Sequence, residues 1–597
     1  MTRSRIPAFA VALLFLPSAL AAPVPAGSKA KDVSELPVAA DAMAVVQLNG
    51  VDRTKGRVAK MLEGIDQALA KKVGEQLDEV VKEALDGRDL KGIDPNGRVF
   101  VAVGDFGELA GDTPPVVVAV PVKDYKTFKE KFLTEGERKG IAAAGGGIEQ
   151  FDAEPAGKTM FAVDTKGGYV VLTPSKETAE KYADKLETLS AKKLGAVGES
   201  FLDADVAVYL NLERINQVYG EQIKQGKAFI GLAMQQGGAG FDPKQMQVAR
   251  TLFDGLFQVV EDATGLVIAV EARPEGANLR VDAAFRADTP TARTLAAEKP
   301  NPLKALADLP KGMKTYTASK WGKAFTDLQR SLGGEFAAPD GDEKLAEKLV
   351  QWADLLASAD GETVTVTGPE AASLTVTAFK DAGKVAAAKL KLMKDLPGGS
   401  TYSNLVLKQP PAVKEGAQKH GGLTRHAANI EVDYEASVKN VADATAKEAA
   451  VEAMKKLVPE KQTVFFGADG GRFVQVTAKD WTAAKALLDG YADPKAKAGG
   501  DAAFALTRKQ LPAEAGFITL VDTVETLNGM AESFGAMAGA IPAPGLEVPK
   551  LTGKIKGETS YVGVAFTARP GNARFDLFVP AVAIKTVRKA IEDGEKE

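Results

Sequence analysis

The chain has 597 residues, 45% hydrophobic and 26% charged, with no cysteine. This is globular composition and excludes collagen-like, low-complexity and disulfide-scaffold classes, along with any thiol nucleophile. With 75 Lys and Arg against 79 Asp and Glu the net charge is −4, and no basic stripe runs along the chain, so nucleic acid has no electrostatic footprint here.

Residues 1–21 read as a secretory signal peptide: Arg3 and Arg5 supply the positive region, Ala8 to Leu16 the apolar run, and Ala19-Leu20-Ala21 an A-x-A cleavage site. Loss of Arg3 and Arg5 takes the net charge from −4 to −6. The apolar run is shorter than the roughly 20 residues needed to span a bilayer. A chain of this length can hold its core without disulfide staples, and without cysteine it has no thiol for lipid attachment. The expectation is an exported protein, periplasmic or extracellular, with 22–32 as a linker.

Leu36-Pro37 then precedes an apolar strand at 42–48. Val58 to Leu85 reads as a core-facing helix, with Val58, Met61, Leu62, Ile65 and Leu69 on one stripe. After Gly92 to Gly97 comes a strand at 99–103, and Lys123-Asp124-Tyr125, like Lys479-Asp480-Trp481 later in the chain, opens a helix whose Asp offsets the dipole. Thr159 to Thr173 spells a hairpin around Gly167-Gly168. It predicts a helix capped by Thr173, with Ala179, Tyr182, Ala183, Leu186 and Leu189 on its apolar stripe. A strand at Val208 runs into helices over Arg214–Gln235 and Pro243–Val260, separated by Gly237-Gly238-Ala239-Gly240.

These pieces return later in the same order. Thr463 to Thr477 repeats the hairpin, Thr477 repeats the cap, and Trp481, Ala484, Leu487, Leu488 and Tyr491 repeat the helical stripe. Val208, Leu212, Glu213, Ile215 and Asn216 match Leu520, Val524, Glu525, Leu527 and Asn528. Ile268 to Pro274 with Asp282 matches Val564 to Pro570 with Asp576. The offsets of 304, 312 and 296 residues make the copies collinear. Gly535 to Pro544 loosens the second copy where the glycines loosen the first. Leu309-Pro310 and Leu511-Pro512 precede further strands at 313–318 and 517–521. The reading is α+β: two homologous halves, 33–305 and 306–597, each a largely antiparallel sheet with helices packed on one face.

Motifs for chemistry are sparse, and the sequence assigns no catalytic, metal, cofactor-binding or ligand-binding residue. The two histidines, His420 and His426, flank Gly421-Gly422 at a spacing unlike HExxH, and read as surface or hairpin residues. Ser400 and Ser403 lack a G-x-S-x-G elbow. Gly157-Lys158-Thr159 resembles the end of a phosphate loop, but Asp152 stands where that motif requires Gly, and the fragment begins a strand. Gly145-Gly146-Gly147 and Gly238-Ala239-Gly240 fail the dinucleotide pattern. Asp203 with Asp205, and Asp340 with Asp342, read as turn residues. Arg273 and Arg569, each in Ala-Arg-Pro, could fork onto a carboxylate or phosphate; a salt bridge to Asp282 and Asp576 across the hairpin is the simpler reading.

The signal, Leu36-Pro37 with its strand, Gly92-Ile93-Asp94-Pro95-Asn96-Gly97 before Val99 to Val103, and Gly168-Tyr169-Val170-Val171-Leu172-Thr173 together resemble uncharacterised exported bacterial proteins. These are of the domain-of-unknown-function type often seen in planctomycetes. The resemblance implies export and transfers no active-site residue. The functional expectation is a non-enzymatic binding or interaction protein, holding a hydrophobic ligand or a cell-envelope protein in a cleft between the halves. The alternative is a hydrolase using a carboxylate pair, which needs only two acids at a set separation.

Overall fold

The period-two spelling of Thr363-Val364-Thr365-Val366-Thr367 becomes a strand in which the valines are buried and the threonines half-buried. The same rule builds most of the sheet structure. The computed structural model describes residues 35–67, 70–71, 90–104, 116–154, 157–165, 167–184, 186–237, 243–320, 322, 336–338, 342–403, 405–439, 441, 444–528 and 555–594. The predicted signal peptide and the linker to residue 32 lie outside them, as do Leu69, Gly238 to Gly240, Asp340 and Gly535 to Pro544.

By its contacts the chain divides into two units. The first comprises Met1–Ile230, Leu256–Arg293 and Gly571–Val582; the second comprises Gly231–Gly255, Thr294–Pro570 and Ala583–Glu597. The first unit contains β1 (Glu35–Ala39), β2 (Ala44–Asn49), β3 (Arg98–Val103), β4 (Val116–Pro121), β5 (Ala142–Gly145), β6 (Ile148–Ala153), β7 (Lys158–Thr165), β8 (Tyr169–Thr173), β9 (Thr188–Ser190), β10 (Val206–Leu210), β11 (Ala263–Arg273) and β12 (Gly276–Phe285). The second contains β13 (Thr315–Ser319), β14 (Phe336–Ala337), β15 (Thr363–Thr367), β16 (Ser373–Ala378), β17 (Thr401–Tyr402), β18 (Leu405–Val406), β19 (Ala412–His420), β20 (Leu423–Glu431), β21 (Lys461–Asp469), β22 (Arg472–Ala478), β23 (Phe517–Asp522) and β24 (Tyr561–Arg569). The last strand, β25 (Asn572–Pro580), belongs to the first unit.

The first sheet is antiparallel in the order β5-β6-β7-β8-β4-β3-β2-β10-β11-β12-β25, and β1 pairs separately with β9. The second is antiparallel in the order β19-β20-β21-β22-β16-β15-β13-β23-β24. Beside it lies a small β14-β17-β18 sheet. Taken in chain order, β2 to β8, β10 and β11 occupy the same places in their sheet as β13, β15, β16, β19 to β24 do in theirs. The α+β class and the antiparallel sheets are as the sequence predicts.

The helices are not confined to one face. In the first unit, Val45, Phe100, Ala119 and Val171 form one core with Ala179, Leu194 and Phe201. The opposite face, with Val46, Val101, Val118 and Val170, forms another with Ile93, Phe128 and Phe132. In the second unit, helices Glu343–Ala357 and Ala382–Asp395 cover Phe466 and Phe473. From the other face Tyr316 meets Phe504 of helix Ala502–Gln510 at 5.1 Å.

Several local expectations shift. Thr173 is the buried last residue of β8, and the helix after it is capped by Ser175, which accepts from the Thr178 N–H. That helix stops at Ala183, and Leu189 sits on β9. Thr477 likewise lies within β22; the cap is Asp480, which accepts from Ala483 N. Asp124 does cap its helix, bonding Thr127 N at 2.7 Å. Leu36-Pro37 precedes the expected strand, β2, and itself lies inside the short β1. The match of Val208 to Leu520 slips by one residue. Asn211 and Asp522 receive corresponding places, their N–H groups bonding Met43 O and Lys314 O, so buried Leu520 corresponds to buried Tyr209, and Val208 to Thr519. One residue of slip in a strand exchanges its faces. The helices at Leu212–Gly237 and Pro243–Asp262 stand where expected. Among the described residues no helix is long and apolar enough to cross a membrane.

Candidate functional site

Strands β12 and β25 read Asn278-Leu279-Arg280-Val281-Asp282 and Arg574-Phe575-Asp576-Leu577. Alternation of this kind says that one face is polar and the other apolar. The ordinary arrangement turns the apolar face inward. Here it is reversed.

Directly paired residues share a face, so the register defines two surfaces. On the outer one, Val208 pairs with Ile268, Ile268 with Val281, and Val281 with Phe575. The flanking rows are Val206, Val270, Leu279 and Leu577, and Leu210, Leu266, Ala283 and Ala573. Every side chain in this four-strand block is apolar. Ile268 is 39% exposed, Val270 37% and Phe575 36%, and the remainder are half-buried. At ordinary strand and row spacings the block measures roughly 15 Å each way, a contiguous apolar patch no larger than those that ordinary monomers carry, which are often functional. Val208 joins it to the core beneath Phe128.

The inner face carries the charges. Asp282 is buried; it accepts from Ser200 Oγ at 2.6 Å and from Asn572 Nδ2 at 2.6 Å. Asp576, fully buried, takes Arg574 Nε at 2.8 Å, Arg574 Nη2 at 2.7 Å and Arg280 Nε at 3.3 Å. Burial pushes the Asp282 carboxyl above its ordinary value, against the hydrogen bonds from Ser200 and Asn572 that favour its ionised form. This layer corrects the expected ion pairs. Arg273 reaches Glu271 at 2.7 Å, while register sets Asp282 across from Val267, six residues along from Arg273. Asp576 is neutralised by Arg280 and Arg574. The sequence showed the alternation and marked both aspartates, but which face is inside depends on what packs there.

A second polar cluster closes the end of the same sheet. Asp205 is buried beside helix Val51–Glu63 and is more than a turn residue. Arg57 reaches both Asp205 and Glu271 at 3.2 Å. Asn49 holds the Leu202 and Ala204 carbonyls and accepts from Arg98 Nε. Asp203 ends helix Gly198–Asp203, and Asp342 caps helix Glu343–Ala357.

The remaining candidates stay apart. His420 Nε2 lies 2.8 Å from Asp489 Oδ1, a partner the sequence did not suggest. His426 packs on Phe466, accepts from Gly416 N at 3.3 Å, and is held below its ordinary pKa by burial. Ser400 is buried and Ser403 sits in a positive-φ turn. Lys158 and Thr159 begin β7, and Thr159 bonds Asp152 at 2.8 Å. Among the described residues no group of three or more His, Cys, Asp or Glu side chains converges to hold a metal. No family model, no curated protein and no solved structure matches the chain.

Proposed function

We propose that this chain is a non-enzymatic binding protein whose working surface is the apolar face of β10, β11, β12 and β25. The observation that carries this reading is the reversal of β12 and β25: Asp282, Asp576, Arg280 and Arg574 are turned inward while Phe575, with Ile268 and Val270 of β11 beside it, is turned to solvent. Burying carboxylates and guanidinium groups costs free energy even when they are paired. Exposing branched and aromatic side chains forgoes roughly 25 cal/mol per Å² of apolar surface. Contact with a hydrophobic ligand or an apolar partner protein recovers the second term. An exported protein meeting its partner in the cell envelope fits the predicted signal peptide, and an internal duplication is supported by the shared strand order together with the matched segments. The buried acids give less support to a carboxylate-pair hydrolase: Asp282 and Asp576 are each held by fixed donors in the sheet interior, and Asp205 and Glu271 are both bound by Arg57.

The test is native mass spectrometry of protein purified from its own envelope, alongside Ile268→Asp and Phe575→Asp variants. Copurifying lipid or protein that is lost from both variants, with melting temperatures unchanged, supports the reading. A bare wild-type monomer that also leaves an environment-sensitive apolar dye unbound overturns it.

A further inference from the structure

The second unit contains a cavity of about 270 Å³ lined by Ala305, Asp308, Lys320, Gly361, Glu362, Val364, Val376, Ala378, Arg472 and Tyr491. We infer that it is a site for a small aromatic carboxylate, its ring on the Val364–Val376 floor and its carboxylate between Lys320 and Arg472.

The first unit shows why the space is open. The strand registers place Phe100 where the second unit has Val364, Pro121 where it has Ala378, and Tyr169 where it has Arg472. Gly97 approaches Pro121 just as Gly361 approaches Ala378, which fixes the correspondence independently. In the first unit the position is filled: Phe100 is fully buried, and its ring lies 6.2 Å from that of Tyr169. Buried Arg98 is tied to Asn49 at 3.2 Å, and these two occupy the places of Glu362 and Lys320. The second unit has exchanged Phe for Val, Pro for Ala and Tyr for Arg. These exchanges leave the apolar space uncovered, and at its edge Lys320 and Arg472 add cations in the places of Asn49 and Tyr169, while Glu362 takes the place of Arg98.

The charges at the cavity select the ligand. Glu362 spends both oxygens on the N–H groups of Lys304 and Ala305, at 3.1 and 2.8 Å. Asp308 lies in the field of the Lys497 ammonium, which sits 4.8 Å above the Tyr491 ring. Glu362 is thus turned onto its own backbone donors, and a ligand carboxylate would be met by the ammonium of Lys320 and the guanidinium of Arg472. Arg472 is held in place by donating to the Tyr491 hydroxyl at 3.0 Å, and an anchored guanidinium suits a carboxylate. An apolar floor with a few polar groups at its edge is the usual form of a small-molecule site, and this volume, just below the roughly 300 Å³ at which such sites begin, limits the ligand to about one ring.

Fluorine NMR titration of the full chain with 4-fluorobenzoate tests the assignment, with 4-fluorobenzyl alcohol and acetate as contrasts. Saturable binding with Kd on the order of 1 mM is expected. Both contrasts, Arg472→Gln and Val364→Phe should bind at least about tenfold more weakly, the last because it restores the ring of the first unit. Arg472 is exposed, so its variant keeps the test decisive if Val364→Phe misfolds. Absence of saturable binding, equal binding of the alcohol or acetate, or unchanged binding in Arg472→Gln overturns the proposal.

Discussion

Arg57 Nη1 stands 3.2 Å from Asp205 Oδ1, while the other oxygen of Asp205 accepts the Ala272 N–H at 2.8 Å. Despite both contacts, burial raises this carboxyl from an ordinary 3.8 to about 6. The folded state thus binds the proton more tightly than the unfolded chain does. The stability this supplies is fully present below pH 3.8 and is lost as pH rises through 6. Asp205→Asn keeps an acceptor for Ala272 and cannot ionise. Relative to that variant, the wild type should lose roughly 3 kcal/mol between pH 3.5 and pH 7.5, read from paired denaturation curves. Parallel curves across that range would show that the carboxyl titrates normally.

Lys389 is fully buried on helix Ala382–Asp395, with its ammonium 5.5 Å from the Trp352 and Tyr402 rings, 5.9 Å from Phe473 and 6.0 Å from Phe466. It also donates to Gln475 Oε1. Its stem fills core volume while the charge rests among ring faces. Lys389→Ala should cost about 2–5 kcal/mol through cavity and lost contacts, and Lys389→Met should restore more than half of that loss in urea unfolding. If both variants lose equally, the charge and its Gln475 bond matter more than packing.

The cap assignments separate cleanly by mutation. Asp480→Ala removes the acceptor for Ala483 N and should cost about 1 kcal/mol. Thr477→Ala leaves the cap intact and should change stability by roughly 0.5 kcal/mol or less, as for a half-buried strand position. Thermal midpoints of the two variants rank them.

Gly276 opens β12 at φ +154°, where an added Cβ would lie 2.2 Å from the Val579 carbonyl oxygen and 2.8 Å from Pro580 Cα. Both obstacles are backbone, so nothing flexible can yield. Gly276→Ala should destabilise the β12–β25 pairing by more than about 2 kcal/mol and speed hydrogen exchange of the β25 amides. Gly470→Ala provides the contrast: its Cβ meets nothing within 4 Å, and only its positive φ of 57° opposes the change.

The chain's own spelling determined many local elements: the hairpin at Gly167-Gly168, the stripe of Val58, Met61 and Leu62, and the helix start at Asp124. Each rests on residues close in sequence, whose dihedral preferences and periodicity act before any tertiary contact forms. Tertiary structure decided the rest. Arg280 meets Asp576 across 296 residues of chain, so which face of β12 turns inward cannot be read from its alternation alone. The pairing of β10 moved Leu520 from the partner of Val208 to that of Tyr209, because local similarity does not distinguish registers one residue apart. The cavity at Val364 exists only by comparison with the ring of Phe100 in the corresponding place. Space in a packed interior is a property of the neighbours that converge on it, and those neighbours are brought together by folding.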